Sequence, residues 1–260
     1  MTEAVVLRAD RDAIATLTLN RPAALNALNG EVFSQLRDHL TALAEDGGVR
    51  VVVLRGAGEK AFAAGADVKR VLELSAIEGS EFARFGQRVM RMLSDLPKPT
   101  IAAVQGFCLG GGFEMALSCD MIWAAEGSTF AFPEVTIGLL PGWAGTQRLA
   151  RNVGQNRAQD LILSGRKIKA AEAAAMGAIA RVLPGENFFD TVHTEALKIA
   201  AQAPTAQAMA KLLVLAAADT DLESGSRAEA TAFGLAVGSQ DAKEGIQALL
   251  EKRSPRFSGR

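Results

Sequence analysis

Residues 98–148 read KPTIAAVQGFCLGGGFEMALSCDMIWAAEGSTFAFPEVTIGLLPGWAGTQR, from Lys98 to Arg148. An apolar run, Ile101–Val104, has the look of a strand buried on both faces. It leads into a loop ending in Gly110, Gly111 and Gly112. The spacing predicts a short apolar helix over Gly111–Ser118, carrying one acid, Glu114. Further strands are expected at Met121–Ala124 and Thr129–Phe132. A second acid, Glu134, follows Pro133. A glycine- and proline-punctuated loop, Gly138–Thr146, precedes a helix through Gln147–Asn152. Two carboxylates in apolar settings, beside the N–H groups of a helix start, are the makings of a chemical site.

Working outward, the same unit of strand, glycine turn and helix occurs once before, at residues 49–74. Val49–Leu54 is a β-branched strand. GAGEKA at Gly56–Ala61 matches G-x-G-x-x-A, the fingerprint of a dinucleotide-binding turn. Its context is wrong, because no helix opens at the motif. Gly65 interrupts it, and Asp67 is the better N-cap for a helix near Val68–Leu74. Ahead of this unit, Ala4–Arg8 and Ile14–Leu19 read as strands around a polar turn at Asp10–Asp12. Val32, Leu36, Leu40 and Leu43 place an amphipathic helix over Glu31–Glu45. Phe82, Phe85, Val89 and Leu93 do the same over Glu81–Leu93, which Pro97 and Pro99 end.

Beyond the central stretch, helices are expected at Ala158–Ser164 and Ala170–Met176, with Gly165 and Gly177 ending them. A last strand is expected at Ile179–Leu183. Four helical segments follow, at 188–202, 205–218, 222–237 and 241–252, before a polar tail, SPRFSGR, that reads as loose. The chain thus divides into a mixed β/α body over 1–187 and a helical region over 188–260.

The chain has 260 residues, about half of them apolar, enough for a sizeable core. With 28 basic and 29 acidic residues, bulk charge gives no support to a nucleic-acid or membrane-surface role. The opening, MTEAVVLRADRD, lacks the basic and apolar regions of a secretory leader, and no apolar stretch is long enough to cross a bilayer. A cytoplasmic location is expected. The two cysteines, Cys108 and Cys119, read as buried free thiols, and with two distant histidines they match no metal-ligand spacing. His39 reads as lying on the exposed side of its helix, and His193 on a helix far downstream. No G-x-S-x-G elbow occurs.

Chemistry therefore rests on the two glycine turns and the two acids. Each helix start offers unpaired N–H donors and a positive dipole end. Side by side, one N–H from Gly65 or Ala66 and one from Gly111 would converge on a single oxygen. Such a donor lowers a barrier by about 2.7–4 kcal/mol. Glu114 lies one turn beyond Gly111 on the same helix face. Burial raises a carboxyl pKa toward neutrality and makes it a useful proton donor or acceptor. A structural alternative is an ion pair between either acid and a buried arginine such as Arg148.

AFAAGADVKR at 61–70, KPTIAAVQGFCLGGGFEMALSCD at 98–120 and FPEVTIGLLPGWAGTQRL at 132–149 resemble the crotonase (enoyl-CoA hydratase/isomerase) superfamily. The resemblance continues through LSGRKIKAAEAAAMGAIARVL and the closing DAKEGIQALLEKRSPRFSGR, so it covers nearly the whole chain. It implies an α/β fold, a spiral of ββα units with a C-terminal helical region that builds trimers, usually paired into hexamers. It implies an acyl-CoA substrate, with coenzyme A as part of that substrate and no separate cofactor or metal.

By the same resemblance, Ala66 and Gly111 match the oxyanion donors, and Glu114 and Glu134 the two acids of the hydratases. Glu134 would exchange the proton at C2, and Glu114 would activate the water that adds to C3. Ala64, Asp67, Lys69, Gly110 and Lys252 match substrate- or coenzyme-binding positions, Lys252 toward a neighbouring subunit's site. Phe113, Phe132, Gly142 and Trp143 match the acyl pocket. Three of these depart from the pattern: Phe132 where glutamine is frequent, Trp143 where a small residue is frequent, and Phe113 where the residue is usually smaller. Because both acids are present, the implied reaction is reversible syn hydration of a trans-2-enoyl-CoA. The alternatives are another reaction through the same thioester enolate (isomerisation, decarboxylation or hydrolysis) or a non-enzymatic RNA-binding relative.

Overall fold

The computed structural model describes residues 4–260; the first three, where the reading of a leader begins, lie outside it. Strands β1 (Val6–Arg11) and β2 (Ile14–Leu19) form a hairpin, with Val6 opposite Leu19 and Arg11 opposite Ile14. The ladder runs on to Arg11, so the turn is Asp12-Ala13 rather than Asp10–Asp12. Both turn residues have positive φ, 53° and 64°, the pair that matches hairpin twist. Helix α1 (Gly30–Glu45) starts where Asn29 Oδ1 accepts from Val32 N at 3.0 Å.

Three ββα turns follow. The first is β3 (Val51–Gly56), β4 (Ala61–Ala63) and the helices α2 (Val68–Leu72) and α3 (Ala76–Asp95). The second is β5 (Thr100–Val104), β6 (Phe107–Leu109) and α4 (Gly111–Ala116). The third is β7 (Met121–Ala125), β8 (Thr129–Ala131), a 3-10 turn at Glu134–Ile137, then α5 (Gly145–Val153) and α6 (Gln155–Ser164). β9 (Ile168–Lys169), α7 (Ala170–Ala175) and β10 (Arg181–Leu183) close the body. In every turn the first strand joins one sheet and the second joins another. The larger sheet runs β1-β2-β3-β5-β7-β10 and the smaller β4-β6-β8-β9. Stacked turns of this kind are a spiral.

The central strands β3, β5 and β7 of the large sheet are buried on both faces, which is why they read as unbroken apolar runs. Val52, Leu54, Ala102, Val104, Ile122 and Ala124 point into the main core. The alternate residues Val51, Val53, Ile101, Ala103, Trp123 and Ala125 point the other way. They are covered by Phe188, Val192 and Ala196 of α8 (Phe188–Ala200). The helices α9 (Pro204–Ala216) and α10 (Leu222–Val237) bury no residue. Lys211 of α9 is held against the body by an ion pair to Asp120 at 2.9 Å and a bond to Lys98 O at 2.9 Å. Helix α11 (Gln240–Glu251) ends the helical series.

The sequence readings need several corrections. As read from the sequence, the GAGEKA segment opens no helix; Gly56 closes β3 and the chain runs on into β4. Asp67 sits at the N-cap of α2 but caps nothing, because its carboxylate pairs with Arg21 at 3.0 Å. His39 is partly buried, with a ring nitrogen 3.2 Å from Val6 O. The tail is not loose. The buried Asp241 carboxylate accepts from Ser258 N at 2.6 Å and Gly259 N at 2.8 Å, and Asp241 N donates to Arg260 O.

Candidate active site

The site begins with the approach of the two glycine turns. A Cβ on Gly65 would lie 3.4 Å from Leu109 O and 3.9 Å from Gly111 N, so the segments run side by side. Ala66 is bridged in parallel to Leu28: Leu28 N donates to Gly65 O and Asp67 N to Leu28 O, both at 2.8 Å. In such a ladder the middle residue's own N–H faces the opposite side. The Ala66 N–H is therefore turned away from Leu28. The 25–28 loop that sets this orientation is fixed by Asn26, 1 % exposed, whose amide donates to Ala57 O and Ala61 O.

Gly110 precedes α4 with φ 52° and ψ −123°, a conformation open to glycine. The next residue, Gly111, is the first of α4, so its N–H has no partner within the helix. A Cβ on Gly110 would come within 2.6 Å of Glu134 Oε1, and one on Gly111 within 2.1 Å of Cζ3 of Trp143. The first missing side chain makes room for a carboxylate, and the second for an indole.

Glu114 is 1 % exposed and has no arginine partner. Its Oε1 accepts two backbone bonds at 2.7 Å, from Trp143 N and Gly145 N. These N–H groups belong to the turn entering α5. They hold one carboxylate oxygen and leave Oε2 to meet a further group. Burial pushes the Glu114 pKa up to about 7, the nearby Glu134 adds to the rise, and the two N–H bonds oppose it. Glu134 begins the 3-10 turn after Pro133. Its Oε2 is buried with no protein partner, and burial raises its pKa to about 7 as well. The arginine-pair alternative fails for both acids. Arg148 forms no ion pair with either, and its Nε is itself buried without a partner.

The aromatic residues fall into two groups. Phe113 stacks on Phe132 at 4.9 Å with 21° between the rings and also meets Phe130 at 5.0 Å. Phe132 reaches the edge of Glu114, since both lie within 2.9 Å of where a Gly145 Cβ would stand. Trp143 is packed edge-on against Phe33 at 4.9 Å and Phe82 at 5.4 Å. Gly142 accepts a bond from Gln87 Nε2 of α3 at 2.8 Å. Ala64 and Asp67 flank the Ala66 turn, and Lys69 follows on the exposed part of α2. Lys252 belongs instead to the helical region, exposed at the end of α11 with φ 57°. Cys108 and Cys119 are buried free thiols.

Sequence reasoning missed two parts of this site. One is the 25–28 loop, whose signal was Asn26 between apolar residues. The other is the pair of N–H groups that hold Glu114, whose signal was the glycine-rich entry to α5.

The two glycine turns thus meet beside the buried Glu114 and the partly buried Glu134. The profile of the enoyl-CoA hydratase/isomerase family matches residues 9–260, and the chain belongs to that family. It is 40 % identical over 246 residues, 95 % of both chains, to a crotonyl-CoA hydratase of Syntrophomonas wolfei. It is 39 % identical over the full length of both chains to a 2,3-dehydroadipyl-CoA hydratase of Escherichia coli. The crystal structure of an enoyl-CoA hydratase from Bacillus anthracis superposes with a TM-score of 0.95, at 36 % identity, covering 99 % of this chain and 100 % of the other. The expected spiral of ββα units agrees with that likeness.

Proposed function

We propose that this chain is an enoyl-CoA hydratase, adding water reversibly and syn across the double bond of a trans-2-enoyl-CoA to give the 3-hydroxyacyl-CoA. The observation that carries the reading is the pair of acids without a basic partner, both near pKa 7, beside the glycine turns of Ala66 and Gly111. The thioester oxygen sits between the N–H groups of Ala66 and Gly111, which stabilise the enolate-like charge by about 2.7–4 kcal/mol each. Glu114, ionised and anchored through Oε1, uses Oε2 to take a proton from water, whose oxygen bonds to C3. Glu134, protonated, gives its proton to C2. The pair ends with its one proton moved from Glu134 to Glu114, and exchange with solvent resets it. A pair sharing one proton works best near the pKa of its members.

Gly110 shapes the wall beside Glu134. Ala64, Asp67 and Lys69 flank the route of the coenzyme, and Lys252 reaches the nucleotide end across a subunit boundary. The division into a catalytic body over 1–187 and a helical region over 188–260 follows the same reading. α9 and α10 hold no fully buried residue, and the apolar residues they expose are best covered by other copies, as a trimer or a pair of trimers. Among the described residues, no helix is long and apolar enough to cross a membrane. The balanced charge gives an RNA-binding role no basic stripe to work with.

Isomerisation, decarboxylation and thioester hydrolysis use the same oxyanion site. Substitution at the two acids separates them from hydration. Glu114→Gln is expected to lower hydration at least ~100-fold while deuterium still enters C2 of a saturated acyl-CoA. Glu134→Gln is expected to stop that exchange. Exchange lost in the first variant and kept in the second would contradict the assigned roles.

A further inference from the structure

The direction of the Ala66 N–H is fixed through the peptide it belongs to. That planar trans peptide also carries Gly65 O, and its N–H and C=O point opposite ways. Gly65 O accepts from Leu28 N at 2.8 Å, so the N–H can turn only if Leu28 moves. The loop before Leu28 keeps it in place. Leu25 and Asn26 both have positive φ, 50° and 58°, which residues other than glycine seldom adopt. Arg21 holds the loop in that shape. Its backbone N–H donates to Asn26 Oδ1 at 3.0 Å, and its carbonyl accepts from Asn26 N at 2.9 Å. Its guanidinium donates through Nη1 to Ala27 O at 2.6 Å and through Nη2 to Asp67 Oδ2 at 3.0 Å.

Ala27 precedes Leu28, and Asp67 follows Ala66. One rigid, planar fork thus grips a residue beside each partner of the Leu28–Ala66 bridge. Asp67 gives α2 no capping bond, so its carboxylate is not spent on the helix start. A carboxylate is also a poor ligand for the anionic phosphates of coenzyme A, which it repels. We propose that Arg21 and Asp67 are positioning residues for the oxyanion donor Ala66, and that Asp67 acts on the thioester carbonyl through that donor instead of binding the coenzyme. This rests on the reading that the thioester oxygen lies between the N–H groups of Ala66 and Gly111.

The test uses the full-length protein with Asp67→Asn, with Arg21→Lys, and with both. Asparagine keeps an acceptor for Arg21, and lysine keeps the charge but loses the fork. Circular dichroism confirms that each variant is folded, and Asp67→Asn alone decides should Arg21→Lys not fold. Butyryl-CoA, isotope-labelled at the thioester carbonyl, is the probe that needs no turnover. Infrared difference spectra read its carbonyl stretch, which falls as N–H groups bond to the oxygen. Calorimetry reads affinity for free coenzyme A. In the unsubstituted protein the stretch should lie below that of the free thioester. In Arg21→Lys it should move back toward the free value, and kcat for crotonyl-CoA should fall ~10-fold or more while affinity for coenzyme A stays within ~2-fold. Asp67→Asn should show the same pattern more weakly, and the double variant no more than Arg21→Lys alone, because the two residues act as a unit. An unchanged stretch and kcat in the folded variants would overturn the inference. So would weakened coenzyme A binding with an unchanged stretch in Asp67→Asn, the mark of a coenzyme ligand. Bound butyryl-CoA whose stretch in the unsubstituted protein equals that of the free thioester would sink the oxyanion reading itself.

Discussion

Glu114 shows how burying a carboxyl costs stability once it ionises. Its carboxyl is buried and, apart from two backbone N–H bonds to one oxygen, unpartnered. The folded pKa is raised from the ordinary 4.5 to about 7. For an acid with a raised pKa, the folded state binds the proton more tightly than the unfolded state does. Stability is then full below pH about 4.5, falls as pH rises through about 7, and is level above that. The loss is on the order of 3 kcal/mol for a shift of this size. Glu114→Gln cannot ionise and keeps an oxygen for the two N–H groups. Its melting temperature should match the unsubstituted protein's near pH 5 and exceed it near pH 8, which thermal melts across that range would read. A difference that stays constant with pH would contradict the burial argument. Glu134, also raised to about 7, should leave a similar but separate pH dependence in the Glu114→Gln protein.

At the scale of elements, what could be read from sequence depended on whether the cause was local. β3, β5 and β7 were legible as apolar runs because they are buried on both faces. β4, β6 and β9 are only two or three residues long, too short for any periodicity to appear. The tail was misread because its polar letters carry no trace of Asp241, which pins it from the start of α11. Glu114 and Glu134 stood out as acids in apolar runs, but the anchors of Glu114 lie 29 and 31 residues further on. The C-terminal helices differ among themselves in the same way. α8 caps the large sheet, whereas α9 and α10 expose Val214 (76 %), Phe233 (70 %) and Leu235 (68 %). An apolar surface of this kind calls for a partner. Light scattering should report a trimer or a pair of trimers of the 27.3 kDa chain, and Phe233→Asp should shift it toward smaller species. A monodisperse monomer for the unsubstituted chain would contradict the assembly proposal.

Over the whole molecule, the spiral explains why the parts of the site meet. Each turn adds one strand to each sheet, so equivalent points of successive turns are neighbours in space though distant in sequence, as Gly65 and Gly111 are. The first turn delivers Ala66, the second Gly111 and Glu114, and the third Glu134 together with the N–H groups that hold Glu114. The chain's family membership bears on the fold that does this, while the reaction rests on the two acids. Hydration is read by following the conjugated-thioester absorbance when crotonyl-CoA is added to the purified full-length protein, with the product identified by mass. Rapid loss of absorbance and a product heavier by one water are expected, with the loss abolished separately by Glu114→Gln and Glu134→Gln. Persistent absorbance, or loss accompanied by free coenzyme A instead of the 3-hydroxyacyl thioester, would contradict hydration.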